Sequence, residues 1–150
     1  MKRLIPLVIA GFLGLGNAAF ANDDTSTNLT PVDGVDINLN DFLWVARPVV
    51  VFADTPADPR FIEQMELLSA RPEELAARDV VIITDTDPAG RSELRRELRP
   101  RGFMLVIIGK DGNKLRKPAP WDVREITRSI DKMPLRQEEI RLRKAPLPES

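Results

Sequence analysis

Cysteine and histidine are both absent from the 150 residues, and each absence removes a class of chemistry. Without a thiol the chain has no nucleophile for thiol–disulfide exchange and no thiolate to hold a metal. Without an imidazole it lacks the commonest general base near neutral pH and the commonest zinc ligand. A chain that has no disulfides must also rest on its hydrophobic core alone. Charge of one sign is missing as well: 22 Lys and Arg face 23 Asp and Glu, a formal net charge of −1. That balance argues against a nucleic-acid partner, and neither a cofactor nor a resident metal is expected.

What is present begins with an address. Lys2 and Arg3 precede an apolar run from Leu4 to Leu15, and Ala19-Phe20-Ala21 precedes the polar Asn22-Asp23-Asp24. This is the three-part layout of a secretory signal peptide, with cleavage after Ala21. An uncleaved anchor is the competing reading, because Leu4 to Ala21 approaches the roughly 18 apolar residues that span a bilayer. Three glycines, Pro6 and Asn17 in the run, and the small residues at 19 and 21, favour cleavage. The expected product is periplasmic or secreted, and the membrane is a partner only through the transient signal. Its 129 residues suffice to bury about two-thirds of the unfolded surface in one domain.

The charges are unevenly spread. Residues 22–90 hold four Lys and Arg against fourteen Asp and Glu, whereas residues 91–150 hold sixteen against nine. Such polarity suggests two solvated faces that attract each other across the fold.

Residues 22–34 are rich in Asp, Thr, Asn, Pro and Gly and read as a flexible leader. Val35, Ile37 and Leu39 then alternate with polar residues, the period of a half-buried strand or extended segment, and Phe42-Leu43-Trp44 supply bulk for a core flank. The leader is set at 22–37, the folded domain at 38–135 and a charged tail at 136–150, in which residues 136–143 can add a charged helical turn before Lys144 to Ser150 fray. Within the domain, Val49 to Ala53 is a continuous apolar run that suits a central strand covered on both faces. Asp58-Pro59 caps a helix with Phe61, Met65 and Leu68 at helical spacing, and Arg71-Pro72-Glu73-Glu74 breaks and restarts it. Val80 to Ile83 is a second strand, joined to the first by a parallel crossover. Asp87-Pro88 repeats the capping pattern before a helix with Leu94 and Leu98 on its buried stripe. Phe103 to Ile108 is a third strand, turned by Asp111-Gly112 into an edge strand at Lys114 to Lys117. Asp122 caps a last helix with Val123, Ile126 and Ile130 on one face.

The order is β-α-β-α-β-β-α, an α/β fold with a mixed central sheet and helices on both faces, which resembles the thioredoxin fold. More specific are Trp44-Val45-Ala46-Arg47-Pro48-Val49-Val50-Val51-Phe52-Ala53, Arg78-Asp79-Val80-Val81, Asp85-Thr86-Asp87, and Arg101-Gly102-Phe103 leading to Ile108-Gly109-Lys110-Asp111-Gly112. Together these resemble the DUDES domain, a peroxiredoxin-like family catalogued as domain of unknown function 4174, over about residues 38–135. The resemblance implies a thioredoxin-like scaffold without its redox centre. It sets Pro56 and Pro59 where a Cys-x-x-Cys pair would stand and Met104 where a cis-proline would stand. The function expected is an exported, non-catalytic module that binds a protein or envelope component.

In open α/β sheets ligands bind beyond the carboxyl ends of the parallel strands. Here those loops hold Asp54, Thr55, Asp58, Asp85, Thr86, Asp87 and Arg91, with Arg101 expected nearby. Crowded carboxylates could raise one another's pKa for acid–base work or bind a hard cation, so a thiol-independent enzyme using Asp85, Asp87 and Arg91 is the alternative function. A structural account competes with it: Asp58 and Asp87 read as helix caps and Asp85 as a loop tie. Arg91, Arg95 and Arg99, with Arg96 adjacent, read either as an anion grip or as the wet face of a helix. Asp36, Asn38 and Asn40 have the spacing of a calcium loop, but Asp41 stands at its glycine and Arg47 at its last ligand, so that motif fails. An envelope structural protein recognised through its surface charge is the third option. Mass spectrometry of the protein recovered from producing cells is expected to show a chain that starts at Asn22; a product retaining residues 1–21 contradicts the export reading.

Overall fold

In chain order the strands are β1 (Val32–Asp33), β2 (Arg47–Phe52), β3 (Val80–Asp85), β4 (Met104–Ile108) and β5 (Lys114–Lys117). The helices are α1 (Pro59–Ser69), α2 (Pro72–Ala76), α3 (Glu93–Leu98), α4 (Val123–Asp131) and α5 (Pro134–Lys144). These come from a computed structural model that describes residues 29–146 and residue 148. The expected signal peptide, residues 1–21, lies outside the described residues.

The sheet has the order β1-β3-β2-β4-β5. β2 runs parallel to β3, with Arg47 opposite Val80 and Phe52 opposite Asp85. It runs antiparallel to β4, with Val49 opposite Ile107 and Phe52 opposite Met104. β4 and β5 form the expected hairpin, Leu105 opposite Lys117 and Ile108 opposite Lys114, and Gly112 in its turn takes the left-handed φ of 85° that glycine tolerates. All six residues of β2 are buried. Burying each of Val49, Val50, Val51 and Phe52 contributes about 1.5–3 kcal/mol.

Both faces of the sheet are covered, as the sequence leads one to expect. Val49, Val51, Leu105 and Ile107 pack against Leu68 of α1, Leu75 of α2 and Val123, Ile126 and Ile130 of α4. Val50, Phe52, Val106 and Ile108 pack on the other side against Leu94 and Leu98 of α3 and against Leu39. Local chemistry starts the helices where the sequence places them. Asp58 accepts from the Arg60 amide with Pro59 in the first turn, and Asp122 and Glu125 form a reciprocal capping box at α4. Gln64, buried in α1, exchanges two hydrogen bonds with the backbone of Trp121, at 2.8 and 2.9 Å, and so ties the 118–121 loop to the core.

The structure departs from the sequence reading at both ends of the domain. Residues 32–36 belong to the fold and not to a leader: Val32 and Asp33 pair with Ile83 and Thr84 of β3, and Gly34 is buried. The alternating segment that follows is not a strand. It forms 3-10 turns at Gly34–Asp36 and Leu39–Phe42, because Asp33 accepts from the Val35 amide and Asn38 from the Asn40 amide. Such side-chain acceptors offer the backbone an alternative to a ladder. Phe42 flanks the core as expected, but Trp44 is 68% exposed. Its φ of 66° is a left-handed conformation that costs a non-glycine residue about 1–3 kcal/mol.

At the other end, the expected charged tail from 136 onward begins as α5, held by a partly buried ion network at the amino end of β2. The Arg47 side chain is fully buried. Its guanidinium donates to the Arg78 carbonyl at 2.9 Å and to both oxygens of Glu139, at 3.0 and 3.3 Å. Glu139 also accepts from Lys110 at 2.8 Å and Arg136 at 3.3 Å. Asp79 engages Lys110, and Asp131 engages both Arg78 and Arg136. Burial pushes the Glu139 carboxyl up, but the hydrogen bonds from Lys110 and Arg47, the Arg47 charge and the Arg136 hydrogen bond outweigh it and hold it at about 2.

Two tests follow from this architecture. A methyl at Gly34 would meet Leu94 Cδ2 at 2.7 Å and Ile83 Cγ2 at 3.2 Å, so Gly34→Ala is expected to lower stability by about 1–3 kcal/mol in urea denaturation; a neutral result would mean that residues 32–36 do not pack. The depressed Glu139 carboxyl adds stability that is complete above its ordinary value of 4.5 and is lost as pH falls towards about 2. Urea midpoints should therefore fall with pH through that window, and Glu139→Gln should remove that part of the acid sensitivity.

Candidate functional site

Because β2 and β3 are parallel and in register, the loops 54–58 and 85–91 leave the sheet at the same end. The antiparallel register of Phe52 with Met104 brings Arg101 to that end too. All seven candidate residues thus share one end of the molecule, but their surroundings differ.

Asp85 is the buried one. Its carboxylate accepts from Ser92 Oγ at 2.6 Å, from Arg95 Nε at 2.8 Å and from the Asp87 amide at 3.1 Å. The same Arg95 donates to the carbonyls of Ala53 at 2.7 Å and Asp85 at 3.0 Å, and its guanidinium lies 5.4 Å from the centre of the Phe52 ring. Arg95 therefore clamps the carboxyl ends of β2 and β3 while it neutralises Asp85. A carboxylate with these partners is a structural tie, and the acid–base role considered for Asp85 would have to break a buried ion pair.

The 54–58 loop is held by its own side chains. Thr55 Oγ1 accepts from the Ala57 amide at 3.3 Å, and Asp58 accepts from the Arg60 amide at 2.9 Å. Arg60 also grips the Asp58 side chain; that hydrogen bond and the Arg60 amide hold the Asp58 carboxyl below its ordinary value. Asp54, Pro56 and Pro59 are exposed, with Pro59 at the first position of α1.

Around 87–101 the sequence reading needs correction. Asp87 does not cap α3: it precedes a 3-10 turn at Pro88–Gly90 and makes no capping hydrogen bond. The helix starts later, at Glu93, where Ser92 accepts from the Arg95 amide. Gly90 and the left-handed Arg91, φ 44°, interrupt the chain between them. Arg91, Arg95 and Arg99 consequently share no helical face. Arg91 precedes α3, Arg99 ends it in a left-handed conformation, and Arg95 between them turns inward. Neither the anion grip nor the wet stripe describes them. Ser92, two residues before Leu94, was the available sequence signal for the true cap.

A cleft of about 170 Å³ opens beside β3, lined by Asp33, Val35, Thr84, Asp85, Thr86, Asp87, Gly90 and Ser92. It gathers Asp85 and Asp87 of the candidate residues; Asp54, Thr55, Asp58, Arg91 and Arg101 do not line it. Asp33 is the charged lining residue that sequence reasoning missed, since a two-residue strand carries no periodicity. With Asp85 already paired, the carboxylates of Asp33 and Asp87 and the hydroxyls of Thr84 and Thr86 give the cleft a negative, acceptor-rich wall.

The family model described as Domain of unknown function (DUF4174) matches residues 38–139. The chain belongs to that family. No curated protein matches this DUF4174 chain. Among solved structures it is similar to chloroplastic thioredoxin z, with a TM-score of 0.54 and 20% identity over 70% of this chain and 95% of that one. It is also similar to reduced 2-Cys peroxiredoxin of Plasmodium vivax, with a TM-score of 0.52 and 13% identity over 69% of this chain and 85% of that one. At such identities the likeness shows the fold alone: this DUF4174 domain is thioredoxin-like.

The geometry separates two aspartates that look equivalent in sequence. Asp85→Ala leaves Arg95 buried without its partner and is expected to cost about 3–5 kcal/mol in urea unfolding. Asp87→Ala, at an exposed carboxylate, should change stability by no more than about 0.5 kcal/mol. Equal effects would refute the assignment of Asp85 as the tie.

Proposed function

We propose that this DUF4174 domain is an exported, non-catalytic thioredoxin-like module that binds a protein or envelope component at the carboxyl end of its parallel strands. One observation carries the reading: the buried ionisable residue at that end, Asp85, is already held by Arg95, Ser92 and the Asp87 amide. The neighbouring turn into α1 offers Pro56 and Pro59, and the chain has no cysteine. Neither a thiol nor a free buried base stands at the position where such a scaffold presents its chemistry. What stands there instead is a cleft whose rim carries Asp33 and Asp87, suited to a cationic group on the partner. The signal-like residues 1–21 support an envelope or extracellular setting for it.

Crosslinking in producing cells tests the reading. The wild-type chain should give discrete adducts. Asp33→Ala/Asp87→Ala and Asp54→Ala/Asp87→Ala, which leave the Asp85–Arg95 tie intact, should lose at least one of them. An adduct pattern unchanged in both variants would overturn it, as would turnover of any substrate that survives purification and disappears in Asp87→Ala.

A further inference from the structure

A second feature lies at the opposite end of β2. The residues that lead into the strand present Trp44 and Val45, 68% and 67% exposed, with Trp44 held in a left-handed conformation. This presentation is built in. The Trp44 amide donates to the Lys110 carbonyl at 2.8 Å, and the Val45 and Ala46 amides both donate to the Phe42 carbonyl. Two adjacent large apolar side chains, one on backbone of positive φ, are thus both turned to water.

Beside them is a small hole. A cavity of about 60 Å³ is lined chiefly by Leu39, Phe42, Leu43, Pro48 and Ile108, with Gly112 at its wall and Glu97 and Lys114 among its lining. Its mainly aliphatic and aromatic lining suits a small aliphatic side chain such as that of valine. Glu97 and Lys114 are loosely paired at 3.9 Å, and both are partly exposed.

We infer that this face joins two copies of the chain about a two-fold axis, Val45 of each copy entering the cavity of the other while Trp44 covers the rim. Knob and hole on one patch are what an isologous interface requires, since a two-fold brings each against its counterpart. The charges favour the same occupant. A partner of single charge would meet repulsion from either Glu97 or Lys114, whereas a second copy can set Lys114 against Glu97 in both directions. The surface is at the amino end of β2, away from the cleft, so the inference does not depend on the proposed binding function.

Sedimentation equilibrium of the protein recovered from cells, taken to about 1 mM, tests this. A concentration-dependent dimer is expected, weakened at least about tenfold by Val45→Asp. Lys114→Glu and Glu97→Lys should each weaken it, and their equimolar mixture should restore a heterodimer in which both cross-pairs are again opposite in sign. Trp44→Gly relaxes the strained backbone while deleting the indole; it should keep or raise the melting temperature and still lose the dimer, which separates loss of surface from loss of fold. A chain that is monomeric throughout overturns the inference. So does a dimer indifferent to Val45→Asp, or a mixture that associates no better than its components.

Discussion

A strand buried on both faces leaves no side to water, and β2 is buried along its whole length. Its interior solves the problem with valines and Phe52, but its ends must meet polar loops and unpaired carbonyls. Each end is closed by an arginine. Arg47 at the amino end binds the Arg78 carbonyl and Glu139; Arg95 at the carboxyl end binds the Ala53 and Asp85 carbonyls and the Asp85 side chain. The planar guanidinium suits both tasks, because it presents several donors in a fixed fork and stays charged when buried. Around these two clamps the rest is arranged: α5 is held on through Glu139, and the start of α3 is set by Ser92 and Arg95 around Asp85.

The charge distribution takes on a different meaning in this light. The acidic and basic halves do attract each other, through Asp85 with Arg95 and Asp79 with Lys110. Yet two buried or half-buried pairs run the other way: Arg47 and Arg78, two of the few cations before residue 91, bind Glu139 and Asp131, two of the fewer anions after it. Arg91, Arg99 and Arg101, by contrast, stay exposed.

The same logic bears on function. A thioredoxin-like scaffold concentrates its accessible chemistry at the carboxyl ends of β2 and β3. In this DUF4174 domain a proline stands at the first position of α1 at that end, and the buried carboxylate of Asp85 is paired with Arg95. The left-handed Trp44 sits at the opposite end, where its side chain and that of Val45 are exposed.

Much of this was legible from residue order alone. The β-branched runs at 49–53, 80–83 and 103–108 named the strands that are covered on both faces. Asp58-Pro59, Asp122 and Asp111-Gly112 named two helix starts and the hairpin, and the absence of cysteine excluded thiol chemistry outright. These signals are local, carried by side-chain volume, backbone propensity and hydrogen bonds spanning two or three residues. Tertiary structure decided what depends on distant partners. A two-residue strand at Val32–Asp33 exists only because β3 has an open edge, and the start of α3 at Ser92 instead of Asp87 follows from the pull of Asp85 on Ser92 and Arg95. The inward turn of Arg47 awaited Glu139, 92 residues away. A buried charge takes its place from whichever opposite charge the fold delivers, and no local pattern in the chain encodes that meeting.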